Sequence, residues 1–160
     1  MRFARDGEPI ALGDLELHPF TVAHDAAEPL QLRCGDGSSR LGVLTDLGSI
    51  TGHVLESLSG CDALVLECNH DEAMLAASRY PPSLKARIGG RFGHLGNGAA
   101  FALLERCMHP GLQHVVAAHL SRENNRPELV RDGLAARWGR HADDVVVADP
   151  LRGFDWLRIC

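Results

Sequence analysis

The feature that most constrains this chain is the way its second half alternates short apolar runs with amphipathic segments. Ala63 to Glu67, Val115 to Ala118 and Val145 to Ala148 each read as a short buried strand. Between them, Asn97 opens a stretch with Ala100, Leu103, Leu104 and Cys107 at helical spacing. Pro127 opens another through Leu129, Val130, Leu134 and Trp138, stopped at Gly139. Strands separated by helices of this length predict an α/β protein with helices covering a sheet. The first half is different. Pro9 to Leu12 and Leu15 to Ala23 flank Gly13-Asp14, and Leu30 to Cys34 and Leu41 to Thr45 flank Gly35-Asp36-Gly37-Ser38, which are hairpin signals.

The remaining helices are short. Ser49 is the expected N-cap of Ile50 to Leu58, and Asp71 that of Glu72 to Ser78. Tyr80-Pro81-Pro82 ends that helix and starts Ser83 to Ile88. Phe154 to Ile159 reads as a short last strand. No repeat, low-complexity block or linker interrupts the chain, so one domain is expected over residues 1–160.

With 45% hydrophobic residues the chain is globular in composition, and no apolar run approaches the length that crosses a bilayer. Arg2 and Arg5 are followed by no apolar core of a secretory signal. Five scattered cysteines form no C-x-x-C pair and read as reduced thiols, so a cytoplasmic location is expected. The net charge of −5 argues against a surface that coats nucleic acid. Two local basic stretches stand out, Arg79 to Arg91 and the pair Arg122 and Arg126, and either also reads as a solvated helix face.

Polar groups gather where apolar runs end. Asp46 follows Leu41 to Thr45, Glu67-Cys68-Asn69-His70-Asp71 ends the next run, and His119 follows Val115 to Ala118. His94 sits between Gly93 and Leu95-Gly96-Asn97, and His24-Asp25-Ala26 supplies one more imidazole. Strand ends are where α/β folds place ligands. Taken alone, Asp46 reads as a turn residue and His119 as a structural one. Together, the clusters predict one shared polar pocket. Histidine and carboxylate without paired cysteines suit a divalent metal, zinc or manganese, that polarises a phosphoryl oxygen and activates water. Cys68 beside Glu67 and His70 is the competing nucleophile, and it also reads as a buried strand residue.

These segments, with Thr45-Asp46-Leu47-Gly48, Tyr80 to Lys85, Gly93 to Asn97 and Ala118 to Asn125, resemble the metallo-β-lactamase-fold hydrolases of the YycJ/WalJ-like group. tRNase Z and RNase J are its more distant relatives. The matches run in the family's order from about Gly13 to Gly139. The resemblance implies a four-layer αββα sandwich, here apparently only its C-terminal part, holding one or two metal ions. It makes His24 a metal ligand, Asp46 the carboxylate shared by two metals, and His119 the last ligand. His94 becomes a non-ligand that handles the leaving group. Ser121, Asn124 and Asn125, with Asn97 and His70, would face the substrate. The implied activity is that of a phosphodiesterase or nuclease, on single-stranded nucleic acid or a small phosphodiester.

One departure from the family matters. Its first motif, His-x-His-x-Asp-His, is absent from this sequence, and more members carry Ser where Gly96 stands. Each metal would keep two of its expected ligands, His24 with Asp46 and Asp46 with His119. Three readings follow: a C-terminal fragment of such an enzyme, a half-domain needing an N-terminal partner or a second copy, or a non-catalytic remnant.

Overall fold

In the computed structural model, residues 3–160 are described; Arg2 lies outside them. Seven strands form one sheet in the order β1-β2-β3-β4-β5-β6-β7, so every strand lies beside its sequence neighbours. β1 (Ile10–Leu12), β2 (Leu15–Thr21), β3 (Leu30–Gly35) and β4 (Arg40–Leu44) form an antiparallel meander. β5 (Ala63–Glu67), β6 (His114–Ala118) and β7 (Val145–Val147) continue it in parallel from β4.

Parallel neighbours need crossover connections, and helices supply them. α1 (Gly52–Leu58) links β4 to β5. α2 (Glu72–Ala77), α3 (Pro82–Ile88) and α4 (Asn97–Cys107) lie between β5 and β6, and α5 (Pro127–Trp138) links β6 to β7. The cap of α1 is Thr51, whose Oγ1 accepts from the Val54 N–H at 3.2 Å, and not Ser49 as expected. Ser49 instead bridges to Ala23 in backbone pairing, which delays the helix start.

The core lies between the sheet and α1, α4 and α5. Leu44, Leu64, Leu66, Val115 and Ala117 point from the strands into one cluster with Val54, Leu58, Leu103, Leu104, Val130 and Leu134, all without exposed surface. Each such leucine contributes roughly 2–3 kcal/mol of apolar burial. The opposite face carries the register row Leu32, Val43, Val65, Val116 and Val146. No described helix covers it. The end of the chain crosses part of it instead, with Phe154, Leu157 and Ile159 lining a shared cleft with Leu41, Val65 and Val116. The segment from Phe154 to Ile159 forms no strand, contrary to expectation. Its polar anchors are side chains: Gln113 exchanges two hydrogen bonds with the Cys160 backbone, and His114 bonds the Arg158 carbonyl. Among the described residues, then, two of the four layers of an αββα sandwich are present. No described helix is long and apolar enough to cross a membrane.

Candidate metal centre

Because β4, β5 and β6 run in the same direction, the residues that follow them fall on one edge of the sheet. Asp46 lies two positions beyond β4, Glu67 ends β5, and His119 follows β6. Asp46 and His119 have φ of +51° and +59°, the positive values found outside glycine among the described residues. A residue with a Cβ gives up about 1 kcal/mol or more in that region. Both side chains are turned toward each other by it. His24 comes from the antiparallel half, just past β2, and its Nδ1 bonds the Gly93 carbonyl at 3.0 Å. His94 arrives on the loop between α3 and α4. Gly48 lets that loop approach, since a Cβ there would stand 2.4 Å from the Gly93 nitrogen.

The geometry is that of one oxygen ringed by imidazoles. Asp46 Oδ1 lies 3.8 Å from His24 Nε2, 3.9 Å from His94 Nδ1 and 3.8 Å from His119 Nδ1. These separations are too long for hydrogen bonds. They gather three imidazole rings around one carboxylate oxygen, and on His94 and His119 the Nδ1 measured here is the nitrogen bonded to Glu67. Asp46, His94 and His119 each offer a ligand atom within 4.8 Å of the others. The rings of His24 and His94 are 5.4 Å apart and those of His94 and His119 5.1 Å. A hard carboxylate with imidazoles and no thiolate is a donor set that fits zinc or manganese.

Beneath the cluster lies Glu67, fully buried, which the sequence reading placed in a polar cluster without giving it a role. Burial by itself would raise its carboxyl. Hydrogen bonds from His119 and His94 (2.7 and 2.8 Å) and from the Leu47 N–H outweigh this and hold it down to about 2. An ionised carboxylate only accepts, so both histidines donate from Nδ1 and keep Nε2 as the exchangeable nitrogen. The same bond, donated to Glu67, raises the His119 pKa against the opposing effect of burial. A charged residue closing an otherwise apolar strand was the signal available in the sequence.

The expected substrate-facing residues separate into two groups. Asn97 and Asn125 are buried and bond each other reciprocally at 2.9 Å, and Asn125 also donates to the Cys68 carbonyl. Asn125 Nδ2 thus has both hydrogens engaged inside the protein, tying the start of α4 to the approach to α5. Their place here is structural, because the amides are enclosed and used. Asn124 and His70 are buried too, each with one polar atom (Oδ1 and Nδ1) unpartnered. Burial lowers the His70 pKa. Ser121 is half-buried, and its hydroxyl accepts from the Asn124 N–H. Cys68 is buried and burial pushes its thiol far up, which removes it as a nucleophile. Asp46 caps no helix, since Thr51 caps α1.

No protein-family model matches the chain. Exodeoxyribonuclease YycJ of Bacillus anthracis is 37% identical over 125 residues, which is 78% of this chain and 47% of that protein. The chain therefore spans about half the length of this curated relative. Among solved structures, the metallo-β-lactamase fold protein YhfI of Bacillus subtilis superposes with a TM-score of 0.69 at 17% identity, over 96% of this chain and 54% of that one. Zn(2+)-bound PqqB of Methylobacterium extorquens does so with a TM-score of 0.66 at 20% identity, over 94% and 53%. A sheet edge that gathers Asp46 and His119 with His94 from the α3–α4 loop, on a fold shared with these structures and in a sequence similar to YycJ, places the chain in the YycJ-like group of metallo-β-lactamase-fold proteins.

Proposed function

We propose that this chain carries the metal-binding edge of a metal-dependent phosphodiesterase of the nuclease type. The observation that carries the reading is the single Asp46 oxygen surrounded by three imidazole rings, two of them held through Nδ1 by the buried Glu67 so that Nε2 is left free. Its relative's name, an exodeoxyribonuclease, supports nucleic acid as the substrate class. Zinc in the PqqB structure supports a divalent ion, and manganese suits the same donors.

In this reading Asp46, His119 and His24 would hold the ion. A bound divalent ion supplies Lewis acidity at a phosphoryl oxygen and a water acidified toward neutral pH. The chain's own residues do the rest. Glu67 fixes His94 with Nδ1–H inward, so Nε2 is the atom that carries a proton toward the leaving oxygen. His119 is oriented by the same carboxylate. Asp46, half-exposed, stands at the mouth of the site.

We also infer that the domain is completed by further strands and helices, from the same polypeptide or another chain, laid on the open face of the sheet. The apolar row Leu32, Val43, Val65, Val116 and Val146 supports this, as does a relative of which the matched segment covers 47%. The ligands missing from the edge would come with that half.

Manganese titration followed by calorimetry is the test, with hydrolysis of a single-stranded oligonucleotide as the second readout. Asp46→Ala is expected to weaken metal uptake more than a hundredfold, since even outer-shell changes cost roughly 10–100-fold. His94→Ala is expected to keep the metal and lose hydrolysis. Uptake unaffected by Asp46→Ala would leave the non-catalytic reading in possession.

A further inference from the structure

Next to the metal centre on the same edge of the sheet is a cleft of about 440 Å³, between the segment after β6 and the segment after β7. It begins one residue past His119. Leu120, Val147 and Pro150 give it apolar walls, and Ser121, Arg122 and Arg131 give it polar ones. The arginine ion pairs among the described residues are Arg5–Glu8, Arg87–Asp25 and Arg137–Glu105, so neither cleft guanidinium has a carboxylate partner. The one acid in the lining, Asp149, has Oδ1 engaged by the N–H groups of Leu151 and Arg152, at 2.8 Å each. Two guanidiniums against one carboxylate, which Arg122 already faces electrostatically, leave this recess with one net positive charge in a chain whose net charge is −5.

Its size and chemistry narrow the ligand. The volume lies in the range of small-molecule sites, well above what a bare oxyanion fills. Planar guanidiniums match phosphate oxygens, and apolar walls match a sugar and base. We propose that the cleft is a nucleotide subsite: it takes a nucleoside monophosphate unit, with the phosphate on Arg122 and Arg131 and the nucleoside against Leu120, Val147 and Pro150. This rests on the hydrolase reading above for its purpose, and the subsite would hold the nucleotide next to the bond that is cut. The β6 segment links the two places directly. Ser121 N–H donates to the Asn69 carbonyl while Asn69 Nδ2 donates to the His119 carbonyl, so the cleft floor and His119 are held as one unit.

The experiment is calorimetric titration of the purified protein with thymidine 5′-monophosphate, thymidine and inorganic phosphate, in a chelator so that no metal contributes. Thymidine monophosphate is expected to bind at least tenfold tighter than either part alone. The double variant Arg122→Gln/Arg131→Gln is expected to weaken it at least tenfold while keeping the wild-type circular dichroism, Arg122 being exposed and Arg131 half-buried with neither in the core. Arg137→Gln, on the last turn of α5 and away from the cleft, is the charge control and should change binding less than twofold. Unchanged binding in the double variant would overturn the subsite. Equal weakening by Arg137→Gln would replace it with diffuse charge attraction, and inorganic phosphate binding as tightly as the nucleotide would reduce it to an adventitious anion site. Arginine-dependent nucleotide binding alongside manganese uptake indifferent to Asp46→Ala would uphold the cleft and sink the hydrolase reading alone.

Discussion

The two halves of the sheet use their strands differently. In the parallel half, the inward residues of β4, β5 and β6 are enclosed by α1, α4 and α5, and the ends of these strands bring Asp46, Glu67 and His119 to the same edge. In the antiparallel half successive strands end on opposite edges, and of its turns the one after β2 alone brings a site residue, His24. Its first hairpin is open to water, with Leu12 63% exposed and Leu15 45%. Parallel order gathers side chains from distant sequence positions to one place, and the enclosing helices desolvate what lies behind them. Glu67 needs both. It sits on a strand whose neighbours bring His119 and whose helix-covered face excludes water.

Breaking the parallel half should cost most. Leu66→Ala is expected to destabilise the protein by about 3–5 kcal/mol, read from urea midpoints, because a fully buried leucine leaves a cavity between packed layers. A cost below about 1 kcal/mol would mean that this half is not where the stability resides.

Acid is the next lever. The folded-state pKa of Glu67 is depressed from 4.5 to about 2, so its contribution is fully present above about pH 4.5 and is lost as pH falls toward 2. Its size is on the order of 3 kcal/mol. His119 runs the other way: its raised pKa gives stability that is present below pH 6.5 and lost as pH rises through the folded value. Unfolding free energy measured against pH should therefore fall on the acid side in wild type and lose that slope in Glu67→Gln. An unaltered acid limb in the variant would show that the buried carboxylate is not ionised in the native state.

Asn125→Ala is expected to cost about 2 kcal/mol, since it strands the Asn97 amide and the Cys68 carbonyl in a closed environment. Smallest of all, Leu15→Ser in the open hairpin should stay within about 0.5 kcal/mol. Were it to cost more than Asn125→Ala, the contrast between the halves would be wrong.

Much of the fold was legible in the sequence for physical reasons that act locally. Apolar runs of four or five residues, proline at the first turns of α3 and α5, Asp71 before α2 and Gly139 after α5 mark elements by sterics and capping alone. Asp46, His94, His119 and His24 were legible as polar residues at the ends of apolar runs. Glu67 was harder to see, because a carboxylate at a strand end looks the same whether it meets water or two imidazoles. For Asn97 and Asn125 the resemblance implied a place facing substrate, and no local pattern shows that the fold closes over them and pairs their amides.

The sequence by itself determined where most of the strands and helices fall, which faces are apolar, and where polar groups gather at the ends of apolar runs, because these follow from side-chain type and spacing. Only the tertiary structure decided that three parallel strands end side by side. It alone set the left-handed backbone at Asp46 and His119, and it alone placed one buried carboxylate behind two histidines. Those outcomes depend on contacts between residues 20 to 70 positions apart, and on water being excluded from where they meet, which no local pattern encodes.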